Sequence, residues 1–327
     1  MATSVSVPAS RSAHVWRLLG RYGAIIVLVA MCGVFAALQP TTFLTVDNFV
    51  NIISQSAIIA IIAIGLTFPL VGGDFDLSIG YVATLGGVLV AMLMANYGMP
   101  YLLAIVLVIV VGGVVGVVNG VLVTRVGINA LVATLGMGTI VLGIVYALTG
   151  GVPVQLNNEA FTAITFNRLL GLPWPVWVMA AVALLAWFLL NRTVAGHGLQ
   201  ATGGNPVAAA LSGLRVGRLR TGAFVMAGAA SALAGVLITS RSGSATAEAG
   251  TPLLLGAFTA CFLGAAVLTH GKFHIVGTLI GVLTVAVGFN GIVLIGLGSY
   301  LQYLLQGTLL IFAVGVGTLS SRMSSAS

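Results

Sequence analysis

Apolar residues run almost without interruption from Tyr22 to near Thr318, broken only by short polar or Gly/Pro stretches. A helix needs about 20 predominantly apolar residues to cross a bilayer, and this chain supplies such stretches one after another. Charged residues make up 5% of its 327 positions, against roughly 25% in soluble domains. Water is therefore not the main solvent of this chain. Between the polar breaks, spans are expected near 22–38, 50–72, 78–96, 100–123, 130–149, 173–190, 221–240, 252–269, 274–295 and 299–319. The expected fold is an all-α membrane protein, a polytopic bundle of about ten transmembrane helices.

Basic residues orient such a bundle, because Lys and Arg accumulate in cytoplasmic loops. With a cytoplasmic N-terminus, ten of the twelve Lys/Arg fall inside, including Arg125, Arg192 through Arg220, Lys272 and Arg322. Only Arg168 and Arg241 fall outside. Both termini are then cytoplasmic, as a tail over 1–21 and a tail over 320–327 around a transmembrane domain over 22–319. Arg11, Arg17 and Arg21 ahead of an apolar run imitate a signal peptide. Met31 before Cys32 is too large for a lipoprotein cleavage box, so 22–38 reads as an uncleaved first helix.

The net charge of +7 does not indicate nucleic acid, since no solvated domain exists to carry a basic face. Cys32 and Cys261 both lie within apolar runs and read as small buried hydrophobes. His270 and His274 straddle a boundary and read as interfacial. No G-x-x-x-x-G-K-[ST] occurs; the nearest stretch, Gly264 to Gly271-Lys272, has the wrong spacing and continues with Phe273. No nucleophile–His–acid set and no metal-spaced cluster is present, so neither an enzyme nor a bound metal is expected.

Gly112-x-x-x-Gly116-x-x-x-Gly120 and Gly277-x-x-x-Gly281 place small residues on one helix face, where backbones approach closely. Asn119-Gly120 precedes Gly127 by the same interval as Asn290-Gly291 precedes Gly298. In the proposed topology these two spans run in opposite directions, the arrangement of an inverted repeat.

Two segments carry more information. In Gly72-Gly73-Asp74-Phe75-Asp76-Leu77-Ser78-Ile79-Gly80, two apolar runs join with almost no loop. Carboxylates near membrane depth are costly unless they face protein, water or a helix N-terminus. Asp76 or Ser78 is expected either to cap the following helix or, with Asp74, to border a polar pathway. Asn119, Asn129, Thr134 and Asn290 either line the same route or bond between helices.

The second is the long inward loop, about 192–220. Within it Gly204-Asn205-Pro206 opens a two-turn helix through Ala209 and Leu211, with Asn205 as N-cap and Pro206 in the first turn; Ser212-Gly213 ends it. A helix this small, Ala-rich and exposed suits docking of a soluble partner, or else a surface position on anionic headgroups.

Several of these motifs resemble those of ribose-type permeases, the membrane subunits of bacterial ATP-driven importers for pentoses and galactosides. They are Asp76-Leu77-Ser78-Ile79-Gly80, Asn119-Gly120, Ala133-Thr134-Leu135-Gly136, Gly203-Gly204-Asn205 through Leu211-Ser212-Gly213, Leu263-Gly264 and Gly277-Thr278-Leu279-Ile280-Gly281, in that order along 46–318. The resemblance implies a multi-pass subunit of the bacterial inner membrane that pairs with a second permease subunit, identical or related. It also implies an ATP-binding cassette subunit that uses the ATP, no cofactor on this chain, and a periplasmic solute-binding protein. The 204–213 stretch is then the ATPase-coupling helix, and the Asp76 segment borders the translocation path. Leu263-Gly264-Ala265-Ala266, His270-Gly271-Lys272-Phe273 and the extra acid Asp74 depart from the family pattern and leave the solute open. The rival readings are a related permease for branched-chain amino acids or nucleosides, and an ion-coupled secondary transporter with Asp74 and Asp76 as ion sites.

Overall fold

A computed structural model describes residues 11–265 and 271–325. His270 and both chain ends lie outside the described residues. The chain is almost wholly helical: α1 (Arg11–Leu38), α2 (Pro40–Phe43), α3 (Val46–Val71), α4 (Ile79–Tyr97), α5 (Tyr101–Val121) running on into a π-helical turn (Leu122–Val126), α6 (Ala130–Thr149), α7 (Glu159–Phe166), α8 (Trp174–Arg192), α9 (Val194–Gly204), α10 (Pro206–Leu211), α11 (Val216–Ser242), α12 (Thr251–Ala265), α13 (Ile275–Leu294) and α14 (Tyr300–Ser325). Among the described residues seven helices are long and apolar enough to cross a membrane: α3, α4, α5 with its π turn, α6, α8, α11 and α13. Three shorter apolar helices, Tyr22–Leu38, Thr251–Ala265 and Tyr300–Gly315, fall where the remaining spans are expected.

The bundle is organised around α11, which packs most extensively on α5, α4 and α3. Small residues make this possible. A Cβ on Gly112 or Gly116 would strike the carbonyl oxygen of Gly228 or Phe224, and one on Gly120 would sit 2.6 Å from Thr221 Cα. On the α4 side, Gly86 faces Ala232 and Gly235 abuts the Ala83 carbonyl; on the α3 side, Gly65 faces Ala230. In lipid no hydrophobic gain separates helix–helix from helix–tail contact, so close backbone approach is a main source of adhesion. A second seam joins α13 to α12, where Gly277 lies on Gly264 and Gly281 on the Ala260 carbonyl. Both glycine faces expected from the sequence are packing faces. Helix α1 joins the bundle through buried Ala24 and Phe35, and the Phe35 ring covers Gly291 of α13.

Three differences from the sequence reading have physical causes. Helix α11 begins at Val216 rather than near 221, because Arg218 and Arg220 occupy its first turns, and long basic side chains at a helix end extend to the aqueous boundary without ending the helix. Helices α7 and α9 fall in stretches read as loop; α9 holds together despite four glycines because Thr193 caps it, accepting from Gly196 N at 3.0 Å. At one end of the bundle, short strands β1 (Val154–Gln155), β2 (Arg168–Leu169), β3 (Leu172–Pro173) and β4 (Ser244–Ala245) pair as β1–β4 and β2–β3. The β1–β4 pairing places 154–155 and 244–245 at the same end of the bundle.

Candidate functional site

The break between α3 and α4 is built from two stops. At the end of α3, Gly73 adopts a left-handed φ of 85°. Gly73 N donates to Leu70 O at 3.1 Å and Asp74 N donates to Pro69 O at 2.9 Å, the paired bonds that close a helix C-terminus on glycine. Helix α4 then starts from a turn held by Asp76, whose Oδ1 accepts from Ser78 N at 2.9 Å and from Ser78 Oγ at 2.6 Å. Ser78 itself occupies the N-cap position but makes no side-chain cap bond. Neither residue expected to cap α4 makes a side-chain cap bond; Asp76 instead holds the turn that leads into the helix.

Around this turn the polar residues read from the sequence partly converge. Asn119 Nδ2 donates to Ser78 Oγ at 2.9 Å, and Leu77 N donates to Thr134 Oγ1 at 2.9 Å. Asp76, Ser78, Asn119 and Thr134 are each at most 1% exposed. They thus form a closed knot linking the break to α5 and α6, rather than the wall of an open channel. A buried carboxylate is tolerable only when donors replace its lost water, and the Ser78 amide and hydroxyl supply two. Asn119 Oδ1 is buried without a hydrogen-bond partner.

The other candidates lie apart from the knot. Asn129 caps α6, its Oδ1 accepting from Leu131 N at 2.9 Å, at an exposed position. Asn290 Nδ2 donates to Asn48 Oδ1 at 2.9 Å, which ties α13 to the start of α3. The expected match of Asn119 with Asn290 extends to paired polar bonds but not to the glycines. Gly127 carries the left-handed turn after the first, whereas Gly296, not Gly298, does so after the second. The register of the matched spacing therefore slips by two residues where the helix ends differ.

Asp74 has a partner that the sequence did not reveal. Arg220, in the second turn of α11, donates from Nε to Asp74 Oδ2 at 2.7 Å and from Nη2 to Asp74 Oδ1 at 2.5 Å. Asp74 is buried while the Arg220 side chain is 27% exposed. Beside this pair, the end of α9 reaches the same turn. Gly203 lies so close to the Val71 carbonyl that no Cβ fits between them, and Leu199 packs on Gly72. Next to it, Gln200, Gly203, Gly204, Lys272 and Phe273 line a cleft of about 370 Å³ that also borders Gly73. Phe75 projects the other way and stacks on Phe258 and Phe262 of α12, with ring centroids 6.3 and 6.2 Å apart. Phe75, Phe258, Phe262 and Arg220 were missed by sequence reasoning; only the Phe258-x-x-x-Phe262 spacing hinted at a shared face.

The short helix α10 lies between α9 and α11. Asn205 Oδ1 accepts from Val207 N at 3.1 Å and Ala208 N at 3.0 Å, the N-cap expected from the sequence, and Gly213 takes a left-handed φ of 83° just past the end. Pro206, Ser212 and Gly204 are exposed. Ala209, expected on the docking surface, is instead 5% exposed, because α10 rests this face on the protein; Val207 and Leu211, four residues apart, are 68% and 85% exposed and form the outward face. The loop that carries this face is thus fastened to the α3–α4 break on both sides, by Gly203 before it and Arg220 after it.

Residues 48–314 match the family described as "Branched-chain amino acid transport system / permease component". The chain is 34% identical over 305 residues to the ribose import permease of Haemophilus influenzae, covering 92% of this chain and 94% of that protein. It is 34% identical to the L-arabinose ABC transporter permease of Azospirillum brasilense, covering 94% and 90%, and 32% identical to the D-allose transport system permease of Escherichia coli K12, covering 92% and 93%. No solved structure matches the chain at a significant level.

Proposed function

The chain belongs to the permease-component family of the branched-chain amino acid type, and from that membership we propose that it forms the translocation path of an ATP-driven importer for a monosaccharide or related small polar solute. It is a multi-pass protein of the bacterial inner membrane. The three relatives named above are permeases for ribose, arabinose and allose, which favours a sugar over the amino-acid and nucleoside readings. The observation that carries the mechanism is the double fastening of the α9–α10–α11 loop to the α3–α4 break.

In this reading the ten apolar helices all span the bilayer and both termini are cytoplasmic. The even number of spans between β1 and β4, and between Val71 and Gly203, agrees with the pairing of these segments at common ends. Val207 and Leu211 dock on an ATP-binding cassette subunit, which uses the ATP; a second permease subunit completes the path, and a periplasmic binding protein delivers the solute. Domain closure in the ATPase displaces α10, and two stiff links carry that displacement to the turn at Gly72–Ser78, biasing the bundle between two access states. Asp74, with Arg220, serves as the latch of this linkage rather than as an ion site. Asp76, Ser78, Asn119 and Thr134 keep the turn in register beside the path.

The test is reconstitution. The chain, its ATPase and its binding protein in proteoliposomes should take up ribose or a related monosaccharide only when ATP is supplied. Uptake by the chain alone down a proton or sodium gradient would sink the proposal.

A further inference from the structure

At the bundle end that holds the π turn and the start of α11, a cavity of about 430 Å³ opens between α5 and α11. Arg125, Arg215 and Arg218 line it together with Thr124, Val117 and Val121. All three arginines are exposed. Among the described residues none of them has a carboxylate within ion-pair distance. The chain has only five acidic side chains. Asp74 is taken by Arg220 and Asp76 by Ser78, while Asp47, Glu159 and Glu248 lie at the starts of α3 and α7 and ahead of α12. The charge that balances this cavity therefore comes from outside the chain.

The surface leading away from the cavity narrows the choice of ligand. Along α5, Val110, Val114 and Val117 are 59%, 55% and 42% exposed, and with Val121 they recur at three- and four-residue spacing on one face. From Val121 to Val110 the helix rises about 16 Å at 1.5 Å per residue, close to one leaflet of a hydrocarbon core about 30 Å thick. A cationic cavity at a helix end, continued by an apolar stripe one leaflet long, matches a phosphate headgroup with its acyl chain.

We propose that this cavity binds the headgroup of an anionic phospholipid, with an acyl chain lying along the Val110–Val121 face of α5. Arg125, Arg215 and Arg218 hold the phosphate. The site requires only that α5 and α11 cross a bilayer; it does not depend on which solute is carried.

Native mass spectrometry of the purified full-length chain, titrated with phosphatidylglycerol or with phosphatidylcholine, tests the site without any transport assay. Phosphatidylglycerol should bind more tightly. R125Q, R215Q and R218Q should each weaken it about fivefold, the factor for one basic residue near a membrane surface, while the matching lysine variants retain most of it. Phosphatidylcholine binding should not change. Equal affinity for the two lipids, or glutamine variants that bind phosphatidylglycerol as well as the wild type, overturns the proposal. So does displacement of the lipid by inorganic phosphate at comparable concentration, which would assign the cavity to a free anion. If the glutamine variants keep the lipid but lose co-purification of the ATPase, the surface belongs to that partner and the proposal fails. Each single variant changes one exposed side chain, so a folded sample is expected for at least one position.

Discussion

Arg220 grips Asp74 through two parallel charge-assisted bonds that join positions 146 residues apart, one on the break between α3 and α4, the other near the start of α11. The pair closes over a buried carboxylate while leaving part of the guanidinium in contact with solvent.

Removing one partner strands the other. Asp74→Ala should destabilise the detergent-solubilised protein by about 2 kcal/mol, the range for a lost charged hydrogen bond reduced for the exposure of Arg220. A D74A/R220A double variant should cost less than the sum of the singles, and thermal melts of the four proteins give the coupling directly. Additive losses would show that the two side chains do not act as a pair. ATP-driven uptake should fall in all three variants.

Adjacent glycines should behave oppositely. Gly203→Ala forces a Cβ into the Val71 carbonyl, whereas Gly204→Ala meets open space. The first should cost about 1–3 kcal/mol, as overpacking does, and should depress uptake. The second should stay near wild type in both assays. Equal effects would remove the close contact between α9 and the break from the account.

On α10 the outward residues carry the expected contact. Leu211→Asp should abolish co-purification of the ATPase subunit with little change in melting temperature, since Leu211 is exposed. Ala209→Arg should act differently, lowering stability before it affects association, because it buries a charge against the protein. Retained association in the Leu211 variant would move the docking surface elsewhere.

Asp76 tests turn geometry against charge. An amide oxygen can accept from the Ser78 amide and hydroxyl as the carboxylate does, so Asp76→Asn should keep most stability and uptake. Asp76→Ala should lose about 1–3 kcal/mol by leaving buried donors unmet. A severe uptake defect in the Asn variant with normal melting would instead assign the charge itself a role in transport.

Much of the fold was legible because the bilayer imposes a simple rule on sequence. Runs of apolar residues from Val46 to Leu294 mapped onto helices with ends displaced by a few residues. Motif spacing also identified the α10 cap at Asn205 and the glycine seams. What stayed hidden depended on contacts between distant segments. Nothing local distinguishes Arg220 from Arg215 or Arg218, yet only Arg220 meets Asp74. The inward turn of Ala209 could not be read either, since a six-residue alanine-rich helix carries no pattern to say which side rests on the protein. Of the polar candidates, Asp76, Ser78, Asn119 and Thr134 converged, while Asn129 caps α6 and Asn290 makes the interhelical bond that was one of its two expected roles, to Asn48.

The small residues along α11 have one more consequence. Where it meets α3, α4 and α5, close contact through alanine, glycine and main-chain atoms alternates with the buried side chains of Phe224, Val236 and Leu237, so the helix is seated along its whole length. It runs unbroken over 27 residues, about 40 Å at 1.5 Å per residue. Its first turns hold Asp74, and near its far end Ser240 donates from Oγ to Phe161 O at 2.6 Å, touching α7. One continuous helix thus touches the α3–α4 break through Arg220 and α7 through Ser240, so the two ends of the bundle share a single structural member.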